Sequence, residues 1–404
     1  MRYDVIVVGA GPAGSTAARE AASRGLSALL LDKATFPRDK PCGGGVCVAT
    51  ADLLPFDLAP VVERTVYAVQ ISLRQGHQFA RRSLAPLIYL TQRRRLDAFL
   101  VEQAVAAGAI LKEGTPVRAV ERHPDHVVVR AGSEAFAGRT LVAADGANGR
   151  TAKLAGIATA RWHAVGLEGN VTPDSYPPEW TDRIALDVGG IPGGYGWVFP
   201  KGDHLNLGVA AWKHLGPSLR DRLAAFTRSV GFDPDTLTGV RGHHLPMRAP
   251  DAPLVDGNVA LIGDAAGFVD PFTGEGMRAA VWSGRAVVDA IADHLAGRAP
   301  DLRGYALAAD RGLLSDMAVA RQLQDLFHLT PSLYVAIARW FPGVWPRGFR
   351  LLQGDLSYTR IKRRLGPGRH AIDLLSDLIR TIPLLQRRAG ILEPYAPERF
   401  RTAR

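Results

Sequence analysis

The sequence predicts a mixed α/β fold in which a parallel sheet flanked by helices is joined to a second domain built on an antiparallel sheet. The chain opens at residues 3–31 with an apolar strand, a glycine turn, an alanine-rich helix and another strand, which is the order of a βαβ unit. Residues 160–250 contain short aromatic and glycine-rich strands, which are typical of an antiparallel sheet. Beyond Pro300 the pattern is mostly helical.

The first domain is predicted to be discontinuous along the chain. An apolar strand at 259–262 and a small-residue helix at 277–295 indicate that the chain returns to the parallel sheet after the second domain. The first domain is assigned to 1–70, 91–158 and 251–298, the second to 71–90 and 159–250, and the helical C-terminal region to 299–404.

Composition narrows the class of protein. With 404 residues, 47% hydrophobic and 22% charged, the chain can bury a sizeable core. The net charge of +10 fits an anionic membrane surface, a phosphorylated substrate or a compositional bias toward arginine. No nucleic-acid-binding module is present, so no nucleic-acid partner is expected. Two cysteines in one loop, with no signal peptide or long apolar span, favour a cytoplasmic protein.

The glycine turn after the first strand carries the first functional signal. Gly9, Gly11 and Gly14 form a G-x-G-x-x-G between strand and helix, and Asp32 ends the next strand 18 residues later. In this context the glycines allow a tight turn and a close approach of a pyrophosphate, while the carboxylate accepts a ribose hydroxyl. We therefore expect a dinucleotide, FAD or NAD, with further contacts from Ala13 and Lys33.

A second constellation distinguishes FAD from NAD. Gly263 and Asp264 follow the strand at 259–262. A helix starts at Met277, shortly after Gly274 and Gly276. In that order Asp264 can hold a sugar or ribityl hydroxyl, and the positive end of the helix can face the flavin ring. A capped core helix without a ligand is the alternative. No metal site is expected.

Two shorter motifs resemble the flavoprotein superfamily that includes aromatic-ring hydroxylases and geranylgeranyl reductases. Residues 141–146, LVAADG, are similar to its Asp-Gly motif, although Gly149 stands where serine is usual. Arg93 is similar to the arginine of its R-x-x-F-D-x-x-L pattern, with leucine in place of phenylalanine. The resemblance implies FAD as cofactor, with contacts from Arg93, Val117 and Asp145.

Residues 37–45, PRDKPCGGG, resemble the P-x-x-K-x-C-G-G-G signature of the geranylgeranyl reductase family. The resemblance implies that Cys42, Gly43 and Gly44 lie against the flavin. The hypothesis is that Cys42 is catalytic, tuning the flavin or delivering a proton, whereas simple packing of a small residue is the alternative.

Residues 195–200, YGWVFP, resemble the Y-x-W-x-F-P motif of the same family. Alternation on a strand places Tyr195, Trp197 and Phe199 on one face, and the resemblance implies that they contact substrate, together with Lys201. A core-facing stripe is the alternative. The W-x-W-x-I-P element of flavin halogenases is also similar, but here tyrosine replaces its first tryptophan and phenylalanine replaces its isoleucine.

The sequence therefore predicts an FAD-dependent reductase that saturates C=C bonds of a polyprenyl chain on a diphosphate, lipid or quinone. A flavin monooxygenase or halogenase and a flavin electron-transfer protein are the alternatives. Without a second nucleotide-binding loop, electrons are expected from transient NAD(P)H or from a ferredoxin-like protein. Residues 301–404 hold 17 Lys or Arg against 9 Asp or Glu, and their aromatic stretch at 333–352 fits either a peripheral membrane contact or a cap over the cavity.

Overall fold

The computed structural model describes residues 2–159, 161–173 and 177–390. In chain order its strands are β1 Arg2–Val8, β2 Ala28–Leu31, β3 Gly45–Cys47, β4 Val62–Val66, β5 Ala68–Leu73, β6 Gln78–Arg82, β7 Ile88–Thr91, β8 Ile110–Lys112, β9 Val117–Arg122, β10 Val127–Ala131, β11 Glu134–Ala143, β12 Arg161–Val171, β13 Arg183–Val188, β14 Tyr195–Pro200, β15 Leu205–Trp212, β16 Thr238–Arg248, β17 Val255–Asp256 and β18 Val259–Leu261.

Thirteen α-helices of the described chain accompany them. They are α1 Pro12–Ser23, α2 Val48–Ala51, α3 Arg93–Ala106, α4 Thr151–Leu154, α5 Leu219–Ser229, α6 Met277–Leu295, α7 Arg303–Ala309, α8 Ser315–Leu329, α9 Pro331–Trp340, α10 Trp345–Leu352, α11 Tyr358–Arg364, α12 Arg369–Thr381 and α13 Pro383–Arg388.

An eight-stranded sheet forms the centre of the first domain. Its main order is β17-β18-β11-β1-β2-β8, and β10 and β9 extend it from β11. β1 runs parallel to both β2 and β11, with Val8 opposite Leu31 and Ala143. These strands are buried on both faces, which explains their continuous apolar sequence. The parallel α/β fold predicted from the opening βαβ unit is confirmed.

Helices α1 and α6 pack tightly against each other on one side of this sheet. A Cβ on Gly284 of α6 would lie 2.5 Å from the carbonyl oxygen of Ala13 in α1 and 3.0 Å from Cβ of Thr16. Only glycine lets the two helices approach this closely. The helix predicted at 277–295 is confirmed at both ends.

The second sheet has seven strands in the order β16-β12-β15-β14-β13-β5-β6. All neighbouring pairs are antiparallel except β5 and β13, which are parallel. One cross-strand row runs through Glu168, Gly208, Trp197, Leu186 and Ile71. The face that bears this row is therefore polar towards β12 and apolar towards β5.

A third, small sheet has the order β3-β7-β4. β3 follows the glycine-rich loop directly, and Gly45 pairs with Leu90 of β7. Of the segment 71–90 assigned to the second domain, β5 and β6 join the seven-stranded sheet, whereas β7 joins this small sheet.

The C-terminal region is a helical layer arranged around α8. A single π-helical turn, Asp310–Leu314, connects α7 to α8 without a break. α8 packs against α11 and α12. Among the helices that the structure describes, none is long and apolar enough to cross a membrane.

The α1–α6 crossing provides a test of the packing. We expect Gly284→Ala to lower the free energy of unfolding by about 1–3 kcal/mol, because the added methyl group overlaps the backbone of α1. Gly304→Ala in α7 is the matched control, since its Cβ would lie 3.8 Å from that of Ala290, an ordinary contact. Thermal unfolding of both variants measures the difference; equal stability of the two would show that the helices separate at little cost.

Candidate active site

The glycine turn after β1 packs against backbone atoms on one side and leaves free space on the other. The N–H of Gly9 donates to the carbonyl of Leu31 at 2.7 Å, and a Cβ on Gly14 would lie 1.8 Å from the Gly9 carbonyl oxygen. A Cβ on Gly11 would meet only the Arg38 guanidinium, at 3.7 Å. The space in front of Gly11, at the start of α1, can therefore receive a pyrophosphate on backbone N–H groups.

Asp32 directly follows β2 and stabilises this turn through hydrogen bonds. Its Oδ2 accepts the N–H of Ala10 at 2.7 Å, and its Oδ1 accepts the N–H of Ala34 at 2.8 Å. Each carboxylate oxygen retains a free lone pair, so the group can also accept a ribose hydroxyl. Asp32 lines the same cavity as three other predicted cofactor contacts, Ala13, Lys33 and Val117.

Asp145, after β11, has one satisfied and one unsatisfied carboxylate oxygen. Oδ2 accepts the N–H of Arg150 at 2.7 Å and both the N–H and the hydroxyl of Thr151. Oδ1 is buried without a hydrogen-bond partner among the described residues, as expected where a ligand hydroxyl supplies the donor. A Cβ on Gly149 would lie 2.3 Å from this carboxyl group, so a side chain at position 149 would overlap Asp145 in its present place.

Asp264 follows β18 and lies beside Lys40 and His243. Its Oδ2 lies 3.3 Å from Lys40 Nζ and 3.9 Å from His243 Nε2. Burial alone would raise the pKa of Asp264, but Lys40 and His243 together hold it well below its ordinary value. An ionised carboxylate therefore stands ready to accept a hydroxyl of the cofactor.

The start of α6 faces the same cavity. Gly274 has a left-handed φ of +73°, and its backbone approaches Tyr195, whose hydroxyl donates to the carbonyl of Thr273 at 2.6 Å. Gly276 and Met277 begin the helix. The unpaired N–H groups and positive dipole end of α6 can stabilise negative charge on a bound ring.

The glycine-rich loop at 42–45 is held from the second domain. The N–H of Cys42 donates to Oε1 of Glu168 in β12 at 2.6 Å. The ammonium group of Lys201 donates to the carbonyl of Gly43. Within the loop, the N–H of Gly44 donates to Cys42 Sγ at 3.3 Å, so backbone and thiol are both fixed in place.

Glu168 was not identified from the sequence. The one local signal is an acidic residue in the otherwise apolar strand AVGLEGNV at 164–171, and its partner Cys42 is 126 residues away. Burial raises the pKa of Glu168, although the Cys42 N–H and the charges of Lys201 and Arg93 oppose that rise. The carboxyl group lines the cavity and is suited to carry a proton.

Arg93 lies beneath the loop as a buried cation. Its Nε and Nη2 each donate to a carboxylate oxygen of Asp97 at 2.7 Å. Burial would lower the pKa of Arg93, but Asp97 and the contact with the Cys42 side chain raise it. The predicted cofactor arginine thus lines the cavity and also forms part of the environment of the thiol.

Lys201 lies behind the loop, and the described wall of the cavity does not include it. Its ammonium group is 2% exposed and donates to the carbonyl of Thr91 at 2.9 Å as well as to the loop. Burial lowers the pKa of Lys201 to about 8, while Cys42, Glu63 and Glu168 oppose that fall. The geometry gives this residue a structural position next to the thiol, one layer away from the predicted substrate contact.

The predicted aromatic stripe faces the loop directly. Ring centroids are 6.0 Å apart for Tyr195 and Trp197, and 6.4 Å apart for Trp197 and Phe199. A Cβ on Gly43 would lie 2.7 Å from the Phe199 ring. Trp197 Nε1 donates to Asn206 at 2.9 Å, which satisfies its polar atom within the sheet.

The aromatic stripe and the predicted cofactor residues, except Gly14 and Gly263, line one cavity of about 1230 Å³. Its far part, called here the apolar chamber, is bounded by side chains of the sheets and of the C-terminal helices. The sheet side consists of Val69, Ile71, Ile88, Ile184, Leu186 and Val188, and the helix side of Phe272, Phe327, Trp345, Phe349 and Leu352. The chamber can hold a long apolar ligand whose reacting part lies beside Cys42.

Structures with the same fold include enzymes of different chemistry. A geranylgeranyl bacteriochlorophyll reductase-like protein from Thermoplasma acidophilum is 24% identical, with a TM-score of 0.69 over 80% of this chain and 87% of its own. A flavin-dependent brominase is also 24% identical, with a TM-score of 0.71 over 88% of this chain and 94% of its own. These likenesses show the fold and leave the reaction open.

Sequence relationships are more specific. Residues 2–185 match the FAD binding domain family, and the residues above fit that cofactor: an open glycine turn, an unsatisfied Asp145 oxygen and an ionised Asp264. The chain is 34% identical over 361 residues to the chloroplastic geranylgeranyl diphosphate reductase of Oryza sativa subsp. japonica, covering 81% of this chain and 75% of the relative. The chain belongs to the geranylgeranyl reductase family of FAD-dependent oxidoreductases.

Proposed function

We propose that this protein saturates carbon–carbon double bonds of a polyprenyl chain. The observation that carries the proposal is the contact between Gly43 of the glycine-rich loop and the Phe199 ring of the aromatic stripe. This contact places the apolar chamber and the predicted flavin-binding residues in one cavity, so an alkene in the chamber can reach the redox centre. The apolar walls match a ligand that has no hydrogen-bonding groups along its length.

The chain's own residues orient the alkene, exclude water from the cavity and supply a proton. Reduced FAD supplies two electrons and one hydrogen when bound, and the second alkene carbon then needs a proton. Cys42 and Glu168 are titratable groups that line the cavity at the loop, so both are candidates to supply that proton. An isolated alkene is a poor acceptor, so the aromatic and aliphatic walls serve to orient it and to exclude water.

Electrons for each cycle arrive from outside the described cavity. We propose a transient NAD(P)H or a ferredoxin-like protein as the donor, since the sequence contains one glycine turn of dinucleotide-binding type and that turn would hold FAD.

An anaerobic single-turnover experiment tests the reaction. The bound flavin is reduced with dithionite and mixed with geranylgeranyl diphosphate or with a prenylated lipid extract. We expect the flavin absorbance near 450 nm to return in step with a gain of two hydrogens per reduced bond, followed by mass spectrometry. A flavin that stays reduced until air is admitted, followed by oxygen or halogen in an added product, would replace the reductase with a monooxygenase or halogenase.

The thiol of the loop is tested by Cys42→Ser. We expect the variant to retain FAD but to lose about 10²-fold or more in the single-turnover rate, the range of a lost acid–base group. Cys47→Ala is the matched control, because burial raises the pKa of Cys47 far above its ordinary value and keeps it a neutral thiol. Full turnover by Cys42→Ser with normal flavin content would leave Cys42 a packing role only.

Some aromatic side chains of the stretch at 333–352 line the cavity, and others lie on the protein surface. Trp345 and Phe349 line the apolar chamber, whereas Trp340 and Phe341 are 70% and 63% exposed. We propose that this outward pair, next to exposed basic residues such as Arg347, rests on an anionic membrane from which a prenyl lipid enters.

Sedimentation with anionic phospholipid vesicles tests this contact. We expect Trp340→Ala/Phe341→Ala to lower the vesicle-bound fraction about tenfold, since two large apolar side chains lose contact with lipid. Leu84→Ala is the control, because Leu84 is fully exposed in the turn after β6. Equal binding of the double variant and the control would contradict a membrane contact at this stretch.

A further inference from the structure

The cavity has a second polar region, formed by the beginning of α6, where cofactor residues also lie, and by three elements that the cofactor residues do not use. The beginning of α6, the π-helical turn Asp310–Leu314, the start of α8 and helix α11 all contribute residues to its wall. Four arginines line the cavity there and are called here the arginine portal: Arg278, Arg311, Arg360 and Arg363. Trp282 lies beside them and approaches Gly312 of the π-helical turn.

The charge of the portal is not neutralised within the described chain. The guanidinium groups of Arg278, Arg360 and Arg363 have no hydrogen bond or ion pair with another described side chain, and Arg311 donates only to the carbonyl of Leu307. By contrast, Lys362 on the same helix is paired with Asp373.

The three acids that line this region, Asp270, Glu275 and Asp316, are already engaged. Oδ1 of Asp270 accepts two backbone N–H groups of the turn that follows it, and burial raises the pKa of Asp270. Oδ1 of Asp316 accepts the N–H of Thr359 at 2.8 Å and its hydroxyl at 2.9 Å. Glu275 accepts the backbone N–H of Arg278 at 2.7 Å, and burial raises the pKa of Glu275 to about 7. At neutral pH the four guanidinium groups therefore exceed the negative charge around them.

The portal opens directly onto the apolar chamber. On α11, Tyr358 is buried against Phe272, with ring centroids 6.3 Å apart, and Phe272 contacts Phe327 at 5.7 Å. Arg360 and Arg363 are three residues apart on the same helix, which places them on one face. A ligand that crosses this boundary must be apolar on one side and anionic on the other.

We propose that the arginine portal binds the phosphate group of the substrate while its prenyl chain occupies the apolar chamber. Guanidinium groups recognise phosphate oxygens through paired, charge-assisted hydrogen bonds. The shared chemistry is a phosphate ester, which either a free prenyl diphosphate or a prenylated phospholipid can supply. The inference rests on the proposed function and narrows its substrate class, since an uncharged prenyl quinone gives the portal nothing to bind.

Binding to the oxidised holoenzyme tests the portal without any turnover. Three ligands are compared by titration of intrinsic tryptophan fluorescence: geranylgeranyl diphosphate, a digeranylgeranyl glycerophosphate, and geranylgeraniol, which has the chain but no phosphate. We expect Arg360→Ala and Arg363→Ala each to raise the Kd of a phosphorylated ligand about tenfold, the loss of a charge-assisted hydrogen bond, and to leave geranylgeraniol unchanged.

Arg364→Ala is the matched control. Arg364 lies on the same helix, and its substitution removes the same charge, but Arg364 is exposed and does not line the cavity. Weakening of diphosphate binding alone assigns the portal to a free prenyl diphosphate, and weakening of glycerophosphate binding alone assigns it to a lipid headgroup. Equal losses in Arg364→Ala and Arg360→Ala, or a geranylgeraniol affinity equal to that of both phosphorylated ligands, would overturn the proposal.

The two proposals can fail separately. If reduced holoenzyme is reoxidised by geranylgeraniol as fast as by its diphosphate, the reductase stands and the portal is rejected. If phosphorylated ligands bind through the portal but no prenyl compound reoxidises the flavin, the binding site stands and the reductase is rejected.

Discussion

The glycine-rich loop depends on side chains supplied by the other domain. Glu168 receives the N–H of Cys42, and Lys201 donates to the carbonyl of Gly43. Lys201 is buried and Glu168 is half-buried, where an uncompensated charge is costly, so each group gains as much from the loop as the loop gains from it. This mutual requirement fixes the distance between the nucleotide-binding sheet and the seven-stranded sheet, and with it the place where cofactor and substrate can meet.

From that junction the cavity changes character in two directions. Towards the first domain its polar groups are arranged singly and in fixed directions: a glycine turn, Asp145 with one open acceptor, and Asp264 held ionised by Lys40. Towards the C-terminal region it becomes a slot with apolar walls and cations at one edge. Rigid polar recognition suits a resident cofactor, whereas apolar walls suit a long apolar ligand.

Local features of this molecule could be predicted from the sequence. The glycine turn, the helix at 277–295 and the alternating aromatics at 195–199 each depend on residues close in the chain, where periodicity and turn chemistry act directly. Glu168 and the arginine portal could not, because their environment is created by pairing across more than a hundred residues or by the packing of four separate helical elements. Lys201 shows that a motif alone does not fix the position of each side chain. Phe199 of β14 lines the cavity, whereas Lys201, which follows the end of β14, places its ammonium group behind the loop.

The π-helical turn between α7 and α8 holds one more residue than an α-helical turn would need. Since each residue of an α-helix advances the side chains by about 100°, this extra residue sets the rotational phase of everything that follows on α8. In the observed phase Phe327 lines the chamber, and Asp316 accepts the N–H of Thr359 in α11. Relatives that keep or lose this turn should therefore differ in the shape of the chamber while their nucleotide-binding residues stay the same, so substrate range can change through a single inserted or deleted residue far from the chemistry.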